Sequence, residues 1–247
     1  MRRTAIGVSA TLIVFLILLG VRLPAAWVHA QFASGIPLNN IQGSLWQGQA
    51  GLQHQQFQVE NISWQLNFWP LLLGDLSFQF ELSDQNVSAN GSAVIAGEDS
   101  FNINIPQATM QASNVNSLRL LPYGAAIAGE VNVKAMSVEM SEHGFVHAEG
   151  DVQWSPAYLV SPQAVSLQGY TASLQLEGNE LLVHIKDQGG PLAVDGAAWL
   201  NQQFSYRYNM TMALRDQAPQ AVRAGLAQMG RVDELGQVHL GGSGGLR

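Results

Sequence analysis

Residues 76–82 read LSFQFEL, a stretch in which apolar and polar side chains strictly alternate. Successive side chains of a β-strand point to opposite faces, so this alternation predicts a strand with one apolar and one polar face. The same pattern recurs at residues 204–214, FSYRYNMTMAL. Weaker alternation occurs at residues 101–105, 131–140, 145–154, 171–176, 181–185 and 192–200. The sequence therefore predicts a mainly β fold.

Residue pairs that tolerate positive φ lie between or within these segments. They are Asn90-Gly91, His143-Gly144, Gly178-Asn179 and Asp195-Gly196. Tight hairpin loops require such residues, so we expect a turn at each pair and antiparallel pairing of the strands beside it. Between Val133 and Met136 the apolar phase slips by one residue, which predicts a β-bulge.

One amphipathic helix is predicted near the end of the sequence. Pro219 suits a first helical position, and Gly230 stands where a helix would stop. The apolar or small residues at helical spacing are Ala221, Val222, Gly225, Leu226 and Met229. We expect this helix to cover a face or an edge of the sheet. The predicted fold is a curved, largely antiparallel β-sheet or open-barrel-like domain with an apolar concave face.

Residues 4–21 form an unbroken hydrophobic segment, TAIGVSATLIVFLILLGV. At a rise of about 1.5 Å per residue, a helix of about 18 residues is about 27 Å long, close to the thickness of a bilayer core. Arg2 and Arg3 precede the segment, and after Arg22 the next cation is Arg119. The positive-inside rule therefore predicts a single-pass bacterial inner-membrane protein with a cytoplasmic N terminus and a periplasmic C-terminal domain.

The predicted order is a cytoplasmic tip (1–3), a transmembrane helix (4–22), a stalk (23–35) and a periplasmic β-rich domain (36–247). The alternative is a cleaved signal peptide, because residues 28–30 before Gln31 resemble a small-residue cleavage site. The hydrophobic segment exceeds the usual signal-peptide core of about 7–15 residues, and Arg22 and Pro24 separate it from that site. We therefore favour an uncleaved anchor.

Composition excludes several classes of function. The net charge of −7 argues against a nucleic-acid partner, which would require clustered Lys and Arg. With no cysteine, the chain has neither disulfides nor thiolate chemistry, and this favours a bacterial periplasm over a eukaryotic extracellular location.

Residues 241–245, GGSGG, formally match the nucleophile motif G-x-S-x-G around Ser243. That motif requires a strand before it, a helix after it, and a downstream acid and histidine, and this sequence supplies no such context. A flexible tail explains the run better.

Other candidate chemistry is equally weak. His143 and His147 have the spacing of zinc ligands on a helix, but Gly144 and the flanking alternation predict a hairpin that keeps them apart. Two acidic pairs, Glu98-Asp99 and Glu139 with Glu142, are better explained as solvated surface than as paired catalytic carboxylates. We therefore expect no catalytic, cofactor-binding or metal-binding residue, and a protein that is not an enzyme.

Short motifs along the chain carry a family resemblance. They are GSLWQGQA at 43–50, ISWQL at 62–66, WP at 69–70 with LLLGDL at 71–76, LAQMG at 226–230 and GQVHLGG at 236–242. In these motifs the chain resembles type II secretion system protein N. The resemblance implies a non-enzymatic inner-membrane component that assists export of folded periplasmic proteins through an outer-membrane secretin, by assembling or stabilising the apparatus. It also implies partners in the inner-membrane platform and in the secretin or its connector protein.

The general pattern G-x-L/W-x-G before a W-x-L strand, which the first two motifs match, also occurs in AsmA-like anchored periplasmic proteins. This leaves a lipid-binding or lipid-transfer role as the alternative. About 215 exported residues, at roughly 3.3 Å per residue in short strands, are too few for a long conduit across the periplasm. We therefore favour the secretion role. Trp46, Trp64 and Trp69 are expected to be large core side chains rather than a partner hot spot, because Trp mostly buries area.

Overall fold

The structure, a computed structural model, describes residues 22–32, 35, 37–54, 57–97, 100–117, 126–161, 163–216 and 218–245. Its strands form one antiparallel sheet of thirteen strands, each paired with the next along the chain. The strands are β1 (Leu38–Gly43), β2 (Gln47–His54), β3 (Phe57–Asn67), β4 (Asp75–Ser83), β5 (Val87–Ala96), β6 (Ser100–Gln111), β7 (Ala126–Ser141), β8 (Gly144–Ser161), β9 (Val165–Glu177), β10 (Glu180–Asp187), β11 (Leu192–Leu200), β12 (Ser205–Leu214) and β13 (Gln237–Gly245). The helices are α1 (Ala25–Phe32), α2 (Phe68–Leu71), α3 (Ser113–Ser117) and α4 (Gln220–Met229). The predicted mainly β, antiparallel fold is confirmed.

Because the strands alternate in direction, the connections between them gather at two opposite ends of the sheet. The α2 end carries the β1–β2, β3–β4, β5–β6, β7–β8, β9–β10 and β11–β12 connections. The α4 end carries the other six, including α3 and α4. The segment before α1 touches the sheet at the α2 end, where Pro24 forms a β-bridge with Ser44, directly after β1. β1 itself begins at the α4 end.

The pairing register aligns apolar residues into rows that cross the sheet. One row contains Ala50, Ile62, Leu82, Ala89, Ala108, Val133, Val152, Ala172, Ile185, Gly196, Met210 and Leu240. The adjacent row, one residue along each strand, contains Asn61, Ser83, Ser88, Thr109, Asn132, Gln153, Thr171, Lys186, Asp195, Thr211 and His239. Adjacent residues of a strand face opposite sides, so the sheet has an apolar face and a polar face.

A cluster of buried apolar residues lies at the α4 end. Ala157, Val165 and Leu167 from β8 and β9 are buried against Val222 of α4. Trp154, Leu159, Tyr170, Leu192, Leu214 and Ala221 surround this cluster. The predicted amphipathic helix is therefore confirmed at residues 220–229, between Pro219 and Gly230, and it buries its apolar side against the sheet.

Two of the four predicted turns are confirmed. His143-Gly144 and Gly178-Asn179 lie at the β7–β8 and β9–β10 hairpins, and Gly144 and Gly178 have positive φ. The predicted bulge in β7 is also confirmed, because the register shifts between Lys134 and Ser137.

The other two predicted turns are wrong, because Asn90-Gly91 and Asp195-Gly196 lie inside β5 and β11. A β-carbon at Gly91 would stand 2.6 Å from Cζ of Phe80, and one at Gly196 would stand 2.6 Å from Cγ of Met210. These glycines therefore make room for a large side chain of the neighbouring strand. The composition of the two pairs resembles a turn, but close packing explains their glycines.

The predicted flexible tail at residues 241–245 is also wrong, since these residues complete β13 and pair with β12. A β-carbon at Gly242 would lie 2.9 Å from the ring of Tyr208, and one at Gly244 would lie 2.7 Å from the hydroxyl of Tyr206. The two tyrosine rings thus cross β13 at its glycines. At positions 242 and 244 a side chain is excluded because the two tyrosine rings already occupy that space.

The predicted membrane span at residues 4–21 lies outside the described residues, as does the acidic pair Glu98-Asp99. Among the described helices, each is too short or too polar to cross a bilayer. Residues 28–30, the alternative cleavage site, lie in α1.

Candidate functional site

The candidate nucleophile Ser243 lies in the middle of β13, with its Cα opposite that of Arg207 on β12. A nucleophile elbow would place it between a strand and a helix, but β13 continues on both sides. His239 lies four residues along the same strand, about 13 Å away at the usual rise of a β-strand. The geometry does not assemble a serine nucleophile with its base.

The candidate metal-ligating histidines are held apart, as the hairpin prediction required. His143 lies in the β7–β8 turn, where Nδ1 is 3.2 Å from Oε1 of Glu142. His147 lies in β8, with Nε2 3.6 Å from Oε1 of Glu149. Within the described part of the chain, His, Asp and Glu side chains nowhere gather in a group of three that could hold a metal ion.

β13 is the last strand of the described sheet, and most of its outer edge is unpaired. β12 pairs with the inner edge from Ala213 to Ser205. On the outer edge Val232 bridges Val238, and no other described strand pairs with residues 239–245. Residues 240–245 contain neither a charged side chain nor proline, the usual features that protect an edge. This edge can accept an additional strand through its backbone N–H and C=O groups.

The opposite edge, β1, is less suited to strand addition. Its register against β2 shifts between Asn39 and Gln42, and both Asn40 and Gly43 have positive φ. Bulges and irregular backbone disturb the row of hydrogen-bonding groups that an incoming strand would need. Of the two edges of the described sheet, β13 is therefore the better docking strand.

An open groove of about 700 Å³ lies on the polar face at β1–β6. Glutamines contribute five of its lining side chains: Gln42, Gln47, Gln49, Gln65 and Gln79. Nε2 of Gln49 donates to Oε1 of Gln42 at 3.3 Å, and Glu81 supplies a carboxylate. Because amides both donate and accept hydrogen bonds, this groove suits a polar, uncharged segment such as an extended peptide.

The apolar face carries a second depression, of about 370 Å³, across β10–β12. Its lining includes Leu181, Val183, Ile185, Leu200, Tyr206, Tyr208 and Met210. These side chains are half-buried or exposed, although they are large and apolar. The surface can hold hydrocarbon, since its polar atoms are almost entirely covered.

An ion pair between Asp187 and Arg215 lies at the α4 end of the sheet. Burial raises the pKa of the Asp187 carboxyl, but hydrogen bonds from Arg215 and from the N–H groups of Gly189 and Val194 outweigh burial and hold that pKa below its usual value. The guanidinium Nη1 of Arg215 lies 2.7 Å from Oδ2 of Asp187. This pair joins the β10–β11 connection to the end of β12, so we assign it a structural role.

Tyr170 stands next to this pair. Its ring stacks on Trp154 with centroids 5.5 Å apart, and its hydroxyl is buried with no hydrogen-bond partner in the described part of the protein. Burial, together with the negative charge of Asp187, raises the pKa of Tyr170 to about 12. The phenol is therefore neutral at physiological pH and belongs to the core beneath α4.

The three tryptophans predicted to be core residues separate into two groups. Trp64 is half-buried, and its Nε1 donates to the carbonyl of Leu45 at 3.1 Å. Trp46 is half-buried, and its ring packs edge-on against Phe68 with centroids 5.6 Å apart. The prediction is wrong for Trp69, which is 77% exposed on α2, beside the 47% exposed Phe68.

Comparison with known proteins shows which family the chain belongs to. The family model for type II secretion system protein N matches residues 34–241, which include all but the last few residues of the described sheet. The chain belongs to this family. The resemblance inferred from the short motifs is therefore confirmed.

Two relatives match across most of their own length. Type II secretion system protein N of Aeromonas hydrophila is 24% identical over 97% of this chain and 98% of that protein. Type II secretion system protein N of Vibrio cholerae is 25% identical over 88% of each chain. No solved structure matches the chain.

Proposed function

We propose that the chain is an inner-membrane-anchored, non-enzymatic component of the type II secretion system. It assists export of folded periplasmic proteins across the outer membrane by assembling or stabilising the apparatus. Membership of the protein N family supports this role, and so does the predicted span at residues 4–21. The open outer edge of β13 is the observation that supports docking by strand addition as the mode of action.

A partner protein docks by adding a strand to residues 239–245. Seven residues at about 3.3 Å each present about 23 Å of edge, which matches a typical strand of a globular protein. Main-chain hydrogen bonds supply the affinity in this mode, so the edge needs no charged anchor of its own. The partners are the inner-membrane platform and the secretin or its connector protein.

Photo-crosslinking in living cells tests this role. A photo-reactive residue replaces Gly245 at the edge, where a β-carbon meets open space, or Gln79 or Gln175 on the polar face. We expect adducts with secretion-system proteins from position 245 in preference to the other two. If adducts contain phospholipid or lipopolysaccharide and no such protein, the docking role is refuted.

A charge placed on the edge gives the matching functional test. The double variant Gly241→Lys, Gly245→Lys tolerates its new side chains, because a β-carbon at 241 makes only a 3.5 Å contact and one at 245 is free. Edge lysines oppose strand addition. We expect secretion of a folded substrate to fall while the level of the protein is unchanged. Leu235→Lys, at an 80% exposed position of the α4 end, is the control and should secrete normally.

The membrane topology is tested separately. A periplasm-dependent reporter fused after Arg247 should be active, because the positive-inside rule places this end in the periplasm. A stable but inactive fusion would reverse the proposed orientation.

The half-exposed apolar face supports a second function, in which the sheet binds lipid acyl chains as AsmA-like proteins are expected to do. The depression across β10–β12 is the proposed binding surface. Native mass spectrometry of the purified protein should then show bound phospholipid, and Val183→Asp should remove it. The absence of lipid from both proteins would refute this second function.

A further inference from the structure

An exposed apolar segment projects from the α2 end of the sheet. Residues 68–73, FWPLLL, connect β3 to β4 through α2, and we call them the apolar tip. Trp69 is 77% exposed, Leu72 is 62% exposed and Leu73 is 84% exposed. Large apolar side chains grouped in this way mark an interaction site more often than an ordinary surface.

The apolar tip contacts the β1–β2 connection, to which residues 23 and 24 also bind. The N–H of Leu45 donates to the carbonyl of Leu23 at 2.9 Å, and the neighbouring Pro24 bridges Ser44. The turn that contains Leu45 continues to Trp46, whose ring packs against Phe68 of the tip. A short chain of contacts therefore joins residue 23 to the tip.

This attachment places the apolar tip close to the proposed membrane surface. The predicted span ends at Val21, and an extended chain covers at most about 3.6 Å per residue, so Leu23 lies within about 7 Å of the end of the span. Each headgroup layer of a bilayer is about 5–8 Å thick. The turn bound to Leu23 therefore lies within the headgroup layer or directly above it.

The composition of the apolar tip fits this position. Trp favours the interface between headgroups and hydrocarbon, where its ring is apolar and its N–H can remain hydrated, and leucine side chains penetrate below it. Residues 68–73 contain no charged side chain that would have to be dehydrated on insertion. Trp27 of α1, which is also about half exposed, lies only a few residues beyond Leu23.

We propose that the apolar tip inserts into the headgroup region of the inner membrane and forms a second membrane contact beside the transmembrane helix. This inference rests on the proposed membrane anchor. A single tether lets a domain rotate freely, whereas two contacts fix its orientation. The sheet then stands with its α2 end on the bilayer and its α4 end directed into the periplasm.

The absence of cysteine from the sequence makes a direct depth measurement possible. Single-cysteine variants of the full chain carry an environment-sensitive dye and are reconstituted into phosphatidylcholine vesicles that contain nitroxide lipids. Leu73→Cys reports the apolar tip and Leu18→Cys the predicted span. Leu235→Cys is the matched control, because Leu235 is a leucine of similar exposure, at 80%, at the opposite end of the sheet.

We expect blue-shifted emission and nitroxide quenching at positions 18 and 73, with neither at 235. An unquenched dye at 73 together with a quenched dye at 18 would overturn the inference and leave the anchor intact. Equal quenching at 73 and 235 would also overturn it, because the domain would then lie on lipid without preference. An unquenched dye at 73 in vesicles, with protection of that cysteine from labelling in cells, would assign the tip to a protein partner instead.

A second variant separates insertion from folding. Leu72→Ser with Leu73→Ser changes two exposed side chains, so the fold should be unaffected. With the dye at Trp69→Cys, this change should reduce nitroxide quenching severalfold and leave quenching at position 18 unchanged. Undiminished quenching at 69 would contradict the inference, because the exposed leucines would then not hold the tip in the bilayer.

Discussion

Adjacent glycines in β13 should respond in opposite ways to the same substitution. A β-carbon added at Gly241 makes an ordinary 3.5 Å contact with the carbonyl of Tyr208. A β-carbon added at Gly242 stands 2.9 Å from Cε1 and the hydroxyl of the same tyrosine, closer than real β-carbons are found. We therefore expect Gly241→Ala to stabilise the protein and Gly242→Ala to destabilise it.

The magnitudes follow from the two mechanisms. Gly241→Ala restricts the unfolded chain at a position that alanine can adopt, which stabilises by about 0.4–1 kcal/mol. Gly242→Ala forces the Tyr208 ring from its place, and overpacking of this kind costs about 1–3 kcal/mol. The ring is the free end of a flexible side chain, so the lower half of that range applies. The two variants should differ by about 2 kcal/mol.

Denaturant unfolding followed by circular dichroism measures this difference. The neighbouring pair Gly244 and Gly245 repeats the test, because a β-carbon at 244 meets the Tyr206 hydroxyl at 2.7 Å while one at 245 meets nothing within 4 Å. Tyr208→Ala should abolish the difference between positions 241 and 242. Equal midpoints for all four alanine variants would refute the reasoning and would describe residues 241–245 as a tail rather than a strand.

Three further predictions concern the α4 end. Leu226→Ala should cost about 2–5 kcal/mol in denaturant unfolding, because Leu226 is only 3% exposed, while Met229→Ala on the same helix, at 40% exposure, should cost less than about 1 kcal/mol. The pKa of Asp187 is lower in the folded protein than in the unfolded chain, so this carboxylate stabilises the fold above the unfolded pKa of about 4 and loses that effect as the pH falls through the folded pKa. Asp187→Asn should therefore reduce the loss of stability at acid pH. An unchanged dependence of stability on pH would contradict the structural role of the Asp187–Arg215 pair. Tyr170→Phe should raise the thermal midpoint, with a gain of about 1 kcal/mol, because it removes a buried hydroxyl that has no hydrogen-bond partner among the described residues. A clear loss of stability would show that the hydroxyl is hydrogen-bonded.

The fold class could be read from the sequence because burial of one face of a sheet imposes a period of two. The row from Ala50 to Leu240 shows this constraint across β2 to β13. Strict alternation at residues 76–82 and 204–214 marked two strands directly. The bulge in β7 was also visible, because an inserted residue must shift the apolar phase.

Glycine misled the sequence reasoning, because one residue type serves two physical purposes. In a turn it supplies positive φ, as Gly144 and Gly178 do. Inside a strand it makes space, as Gly91 does for Phe80. Local sequence cannot separate these roles, since the side chain that needs the space belongs to a neighbouring strand. For the same reason the glycines of residues 241–245 were predicted to form a flexible tail, although they belong to β13, the edge strand on which the proposed docking depends.

Trp69 was misassigned for a related reason. A tryptophan beside a leucine run has the composition of a core segment, and only the three-dimensional position of α2 shows that Trp69 faces outward, while the half-exposed Phe68 keeps a ring contact with Trp46. The short connection between β3 and β4 was the sequence feature that could have predicted the exposure of Trp69. The connection between β3 and β4 has only seven residues, six of them large or cyclic apolar residues, and these are too few to fold back over the sheet, so some of them must remain exposed.

The open edge and the apolar tip together limit which partner can use the edge. β13 runs from Gln237 at the α4 end to Gly245 at the α2 end, and Val232 covers its outer edge only near Val238. The open part therefore lies toward the α2 end, the end that the apolar tip would hold against the bilayer. A strand that adds there must come from a protein close to the inner membrane, which favours the inner-membrane platform over the secretin. Crosslinks from position 245 should accordingly identify inner-membrane components. Crosslinks from position 235 should identify proteins that reach further into the periplasm. The reverse pattern would show that the α4 end of the sheet, and not the α2 end, faces the inner membrane.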